Sequence, residues 1–168
     1  MRETMKKSFH IDVFVNYRPE EKPTGFHDFL RLSVNGKTFF SSMCSGSPNG
    51  FHPRTKKPWH KHYGWVAPQT TSATLVLGHR KFGDCLLVGG GKQIVSINEN
   101  PNHNGKKVIS AVFIHRALGI LNKLWRGSAG CFTLTRSQMK LLIKSIVRSG
   151  AGSSGTITIH HNGNLTEG

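Results

Sequence analysis

Asn35 and Gly36 lie between two runs of alternating polarity, "FLRLSV" before them and "KTFF" after. Asn-Gly tolerates the left-handed backbone at both central positions of a tight turn, so this pair predicts a β-hairpin. A hairpin alone is marginal in water and needs further strands to cover its apolar face. The rest of the chain supplies them. "HIDVFVNY" alternates Ile11, Val13 and Val15 with Asp12, Phe14 and Asn16, the period of a half-buried strand. "SATLVLGHRKFGDCLLVGGGKQIVSI" reads as three short strands separated by glycines, and "TITIHH" as a last one. "VISAVFIH" is a nearly continuous apolar run, which predicts a strand buried on both faces and ending at His115. The 19 glycines and only 36% apolar residues agree with many turns and short strands rather than a helix bundle.

One helix is predicted. Thr135 followed by Gln138 fits a capping box. Met139, Leu142, Ile143, Ile146 and Val147 then share a face, with Lys140, Lys144 and Arg148 elsewhere, until "SGAGSSG" ends the run. The fold class is therefore mainly β with one or two helices (α+β). With 168 residues, one domain over 1–160 and a loose tail at 161–168 is the expected organisation.

Charge narrows the partners. There are 23 Lys and Arg against 8 Asp and Glu, a net charge of +15, and no acid between Asn100 and Thr166. Such a chain is drawn to polyanions, whether nucleic acid, anionic lipid or envelope polymer. The longest apolar stretch, "VISAVFI", is too short to span a membrane. The basic start turns polar at Asn16 without a small-residue cleavage site, so no export signal is expected. Three cysteines, Cys44, Cys85 and Cys131, make a poor disulfide framework and leave at least one thiol free.

The segment "IHRALGILNKLWRGSAGC" holds His115 near its start and Cys131 at its end. Acyl transfer by cysteine needs a thiolate, a base, and N–H donors aimed at the developing oxyanion. Gly130 permits close backbone approach, and the amides of Gly130 and Cys131 are candidate oxyanion donors. The surrounding cations predict a lowered thiol pKa. With no carboxylate nearby in sequence, His115 must be oriented by a backbone carbonyl or by a residue from the first half. The competing reading is a buried cysteine and an ordinary strand-end histidine.

The order of these segments resembles the L,D-transpeptidase (YkuD-like) catalytic domain. That family carries His-Gly-Thr, a loop, Ser-His-Gly-Cys, an amphipathic helix and a closing Gly-Thr-x-Val strand. The matching segments here are "IHRA", "GSAGCFTL", "SQMKLLIKSIV" and "GTITI", over about residues 108 to 159. The resemblance implies an L,D-transpeptidase-like mixed sheet or β-sandwich with a helix after the cysteine. It implies Cys131 as nucleophile, His115 as base, Ser128 bracing the loop, and Gly130 and Cys131 amides holding the oxyanion. The substrates implied are peptidoglycan stem peptides, and neither cofactor nor metal is called for. Arg116, Trp125 and Arg126 become substrate-binding candidates. The family's second histidine is Ala129 here, its arginine after the cysteine is Thr133, and Arg116 replaces its glycine. Compact relatives lacking a leader include antibacterial type VI secretion effectors and phage lytic proteins. A delivered wall-targeting protein, acting in the periplasm with an immunity partner or secretion carrier, is the corresponding expectation.

Other classes compete with this reading. The aromatics of "KKPWHKHYGW" with the basic charge suit a nucleic-acid-binding module, although no recognised signature is present. His60 with His62, His160 with His161, and His79 are conceivable metal ligands, but lack zinc-helix spacing. In a papain- or NlpC-like arrangement the base would be His160, after the cysteine.

Overall fold

The computed structural model describes residues 7–16, 28–46, 65–97, 108–117 and 131–161. Eleven strands, one α-helix and a short 3-10 turn (Gly89–Gly91) fall in these segments: β1 (Lys7–Val15), β2 (Asp28–Val34), β3 (Lys37–Cys44), β4 (Trp65–Val66), β5 (Gln69–His79), β6 (Gly83–Val88), β7 (Ile94–Ile97), β8 (Val108–Ile109), β9 (Val112–Arg116), β10 (Phe132–Leu134), α1 (Arg136–Arg148) and β11 (Ala151–His161). The protein is mainly β. Strand β11 runs through His161, which the sequence pattern assigns to the tail; residues 162–168 lie outside the described residues.

Eight strands form one mixed sheet in the order β10-β9-β6-β5-β11-β1-β2-β3. The β1–β11 and β9–β10 pairs are parallel, and the other pairs are antiparallel. Ser45, just past β3, exchanges two backbone hydrogen bonds of 2.8 Å with Thr133 of β10. The two sheet edges therefore meet, and the sheet closes into a barrel. A second sheet, β4-β7-β8, has three strands.

The alternation read from the sequence is what fills the interior. Phe9, Ile11, Val13 and Val15 of β1 are buried, as are Leu30, Leu32 and Val34 of β2 and Ile157 and Ile159 of β11. The intervening residues make a polar face, where Asp12 accepts from Arg31 and pairs with His10 and His160. A Cβ at Gly155 would collide with the carbonyl and ring of Phe9, so the close β1–β11 approach requires glycine there. Helix α1 starts as predicted, with the Thr135 hydroxyl accepting from the Gln138 N–H at 3.2 Å. It packs Met139, Leu142, Ile143 and Ile146 into the core and touches β3, β6, β9 and β11. Val147 departs from the expected face and is 65% exposed, because the buried stripe drifts off it in the last turn.

The Asn35-Gly36 hairpin forms between β2 and β3, with positive φ of 50° and 76° at the two turn residues. "VISAVFIH" does not form one strand. Ala111 adopts φ 55°, which breaks the run into β8, in the small sheet, and β9, in the barrel. Continuous apolar character cannot reveal such a break.

Asp28 holds the barrel closure. Its carboxylate is buried and accepts from the Asn16 N–H at 2.8 Å and the Gly46 N–H at 2.6 Å. It thus ties the end of β1 to the residue following the Ser45 bridge. Asp28→Ala takes this acceptor from two backbone donors, at about 1–3 kcal/mol each. The expected outcome is a urea midpoint lowered by the equivalent of roughly 2–6 kcal/mol, with Asp28→Asn less affected.

Candidate active site

Strand β10 begins directly after Cys131 and runs parallel to β9, with Phe132 against Ile114 and Thr133 against His115. The closing bridge to Ser45 fixes β10 from its other side. Continuing the β9–β10 register by one residue puts Cys131, just ahead of β10, level with Phe113 of β9, two residues from His115. That offset is ~7 Å along the backbone. The described hydrogen bonds of the two side chains run to backbone groups. Cys131 Sγ donates to the Ala111 carbonyl at 3.9 Å, and the Phe113 backbone also bonds the sulfur. His115 Nδ1 donates to the Arg116 carbonyl oxygen at 2.7 Å.

That second bond fixes the tautomer. A carbonyl only accepts, so Nδ1 carries the proton and Nε2 holds the free electron pair of the neutral ring. A backbone carbonyl thus orients the imidazole, one of the two options that the acid-free sequence left. The ring stacks on Phe82 at 3.9 Å between centroids and 16° between planes. Phe82 in turn stacks on His79 and meets Phe113. Burial pushes the His115 pKa down to about 4; the bond to Arg116 opposes this, and the charges of Lys81, Arg116 and His79 add to it.

A histidine lowered to about 4 makes folding pH-dependent. Between that value and the ordinary 6.5, the unfolded chain binds the proton and the folded one does not. The contribution of His115 is fully present above pH 6.5 and is lost as pH falls towards 4, a change of about 3 kcal/mol. Urea melts at successive pH values should show this slope, and His115→Gln should flatten it.

The thiol differs from the expectation. The cation-rich sequence predicts a lowered pKa, yet burial pushes the Cys131 thiol above the ordinary range, against smaller lowering effects from the Phe113 backbone and the Lys81 charge. Desolvation outweighs the cations because sequence proximity does not place their charges at the sulfur. Cys44 and Cys85 are fully buried, as small hydrophobes, and burial drives the Cys85 thiol up to about 11.

Arg116 ends β9, and its guanidinium reaches the Lys81 carbonyl at a long 3.5 Å. Ser128, Gly130, Trp125 and Arg126 lie outside the described residues, as do Trp59, Tyr63, His60 and His62. His160 is not brought to Cys131. It sits on β11, four strand positions from β10 in either direction round the barrel, stacked on Phe14 and bonded to Asp12 at 2.9 Å. His79 Nδ1 instead accepts from the Lys81 and Phe82 N–H groups in the β5–β6 turn, and His161 donates to the Val66 carbonyl. Among the described residues no group of three His, Cys, Asp or Glu is placed to hold a metal ion, and no helix is long and apolar enough to cross a membrane.

Three neighbours of His115 and Cys131 were given no site role from the sequence, where Thr133 entered only as the residue in place of the family's arginine. Phe82 covers His115, Lys81 biases both pKa values, and Thr133 stands beside His115 with its hydroxyl buried and unpartnered. "GHRKFGD" offers only a turn signal, so nothing local in it could locate Phe82 against a strand 30 residues away.

The barrel and site define a mainly β protein with a carbonyl-oriented imidazole on one strand and a thiol directly ahead of the parallel strand beside it. No protein-family model matches the chain and no curated protein matches it, so the comparisons themselves identify no L,D-transpeptidase domain.

Proposed function

We propose that the protein is a cysteine-dependent acyl transferase or hydrolase of peptidoglycan stem peptides, with an L,D-transpeptidase-like fold. The observation that carries this reading is the 2.7 Å bond from His115 Nδ1 to the Arg116 carbonyl. It leaves Nε2 as the proton acceptor, on the strand beside which Cys131 enters β10. The order of described elements, a strand ending at His115 and Arg116, then Cys131, a strand, a capped helix and a closing strand, also supports it.

The chemistry starts from a neutral pair, because burial raises the thiol pKa and lowers that of the imidazole. Substrate binding brings a peptide carbonyl to the sulfur. As Sγ attacks, Nε2 takes the thiol proton, directly or through one water across the two-residue offset. The carbonyl oxygen becomes an oxyanion held by backbone N–H groups. Collapse breaks the C–N bond, and the imidazolium returns its proton to the departing D-amino acid. The thioester left on Cys131 is then attacked by an amine, forming a new peptide bond, or by water, releasing a shortened peptide. In either case His115 accepts the attacking group's proton and the thiol is regenerated.

The test is incubation of the pure protein with disaccharide-tetrapeptides, with and without an added D-amino acid. Exchange or trimming by mass, together with a thioester adduct on the protein, supports the reading. Intact substrate across peptides of differing stem composition overturns it.

A further inference from the structure

Where α1 crosses the ends of β6 and β9, a pocket of about 340 Å³ opens. Among the described residues its walls are Phe82, Met139 and Ile143, with Gly83 and Asp84 on one side. Four cations also line it: Arg116, Arg136, Lys140 and Lys144. The three on α1 recur every fourth residue, so they lie on one helix face about 6 Å apart along the axis. Like charges so spaced repel one another, and the described ion pairs do not relieve them, since all of those gather on Asp12. The one acid in the lining, Asp84, spends Oδ1 on the Gly78 N–H at 2.9 Å. The pocket therefore combines an apolar wall with a positive rim, four cations against one carboxylate.

We propose that this pocket binds a small organic phosphate: a phosphomonoester dianion held by Arg116, Arg136, Lys140 and Lys144, its apolar body against Phe82, Met139 and Ile143. A group that is mostly dianionic at neutral pH suits a rim of four cations better than a monoanion does, and arginine matches phosphate oxygens two at a time. The volume is at the lower end of small-molecule sites, which favours a compact ligand over a polymer strand. The site shares Phe82 and Arg116 with the surroundings of His115 but uses neither Cys131 nor the His115 ring nitrogens, so it can be tested apart from the acyl-transfer reading.

Phenyl phosphate is the probe, titrated at physiological salt into protein carrying a carbon-13 methyl label on methionine and followed at the Met139 signal. Inorganic phosphate and phenol are the comparators. The expected result is saturable binding at least about 10-fold tighter for phenyl phosphate than for either comparator, as charge-assisted pairing and apolar burial together require. Lys140 and Lys144 are exposed, so the double variant Lys140→Gln/Lys144→Gln folds, which its circular dichroism should verify. It should lose about 10-fold or more in affinity, and Cys131→Ala none. Equal response to inorganic phosphate, undiminished binding by the double variant, or no saturable shift at Met139 would each overturn the proposal.

Discussion

Cys131→Ala protein is expected to leave disaccharide-tetrapeptides unchanged, a loss on the order of 10⁴-fold or more from the parent rate. The size follows from what the sulfur does: without it no thioester forms, and only binding and oxyanion donors remain. Neither other thiol can substitute. Cys44 and Cys85 are fully buried, and burial raises both of their pKa values. The same difference makes iodoacetamide a direct check, since one equivalent should add at Cys131 in the folded protein. That alkylation should be slow at neutral pH and accelerate as pH rises, because the Cys131 thiol lies above the ordinary range. Cys131 lies ahead of β10 and outside the buried core cluster, so the variant should keep the barrel, which its circular dichroism and urea midpoint should verify. Exchange or trimming that survives in Cys131→Ala would remove the nucleophile from the proposal.

The sequence reveals more of this fold than of its site, for a physical reason. Period-two burial and turn chemistry are local, so β1, the Asn35-Gly36 hairpin and the capped start of α1 can be read from neighbouring residues. Closure of the barrel is not local. It rests on Ser45 meeting Thr133 and on Asp28 joining Asn16 to Gly46, contacts between polar residues that carry no periodic signal. The break at Ala111 is hidden for the opposite reason: an apolar residue in an apolar run gives no sign of positive φ. At the site, the lack of acids nearby narrowed the orienting partner of His115 to a backbone carbonyl or a residue from the first half, and the Arg116 carbonyl is the one that does it. The thiol's raised pKa was not foreseeable, because charge counted along the chain says nothing about desolvation at one sulfur.

His115→Gln should lower the rate by 10²- to 10⁴-fold at neutral pH, the usual worth of a positioned base. Glutamine keeps most of the ring's volume and its capacity to hydrogen-bond, so the barrel should persist where alanine would leave a gap beside Phe82. His160→Ala should cost little, since that ring is four strands away and engaged with Asp12. The deciding readout is the pH profile. In the parent, Nε2 is free to accept a proton at any pH well above about 4, so the rate should vary only weakly from pH 5 to 8. Without the base, reaction must wait for spontaneous ionisation of a thiol whose pKa lies above the ordinary range. The variant's rate should then climb about tenfold per pH unit, and its deficit against the parent should narrow steadily towards alkaline pH. A merely structural histidine would give a deficit of the same factor at every pH. Parallel profiles for parent and variant would therefore assign His115 to packing against Phe82 and leave Cys131 without its base.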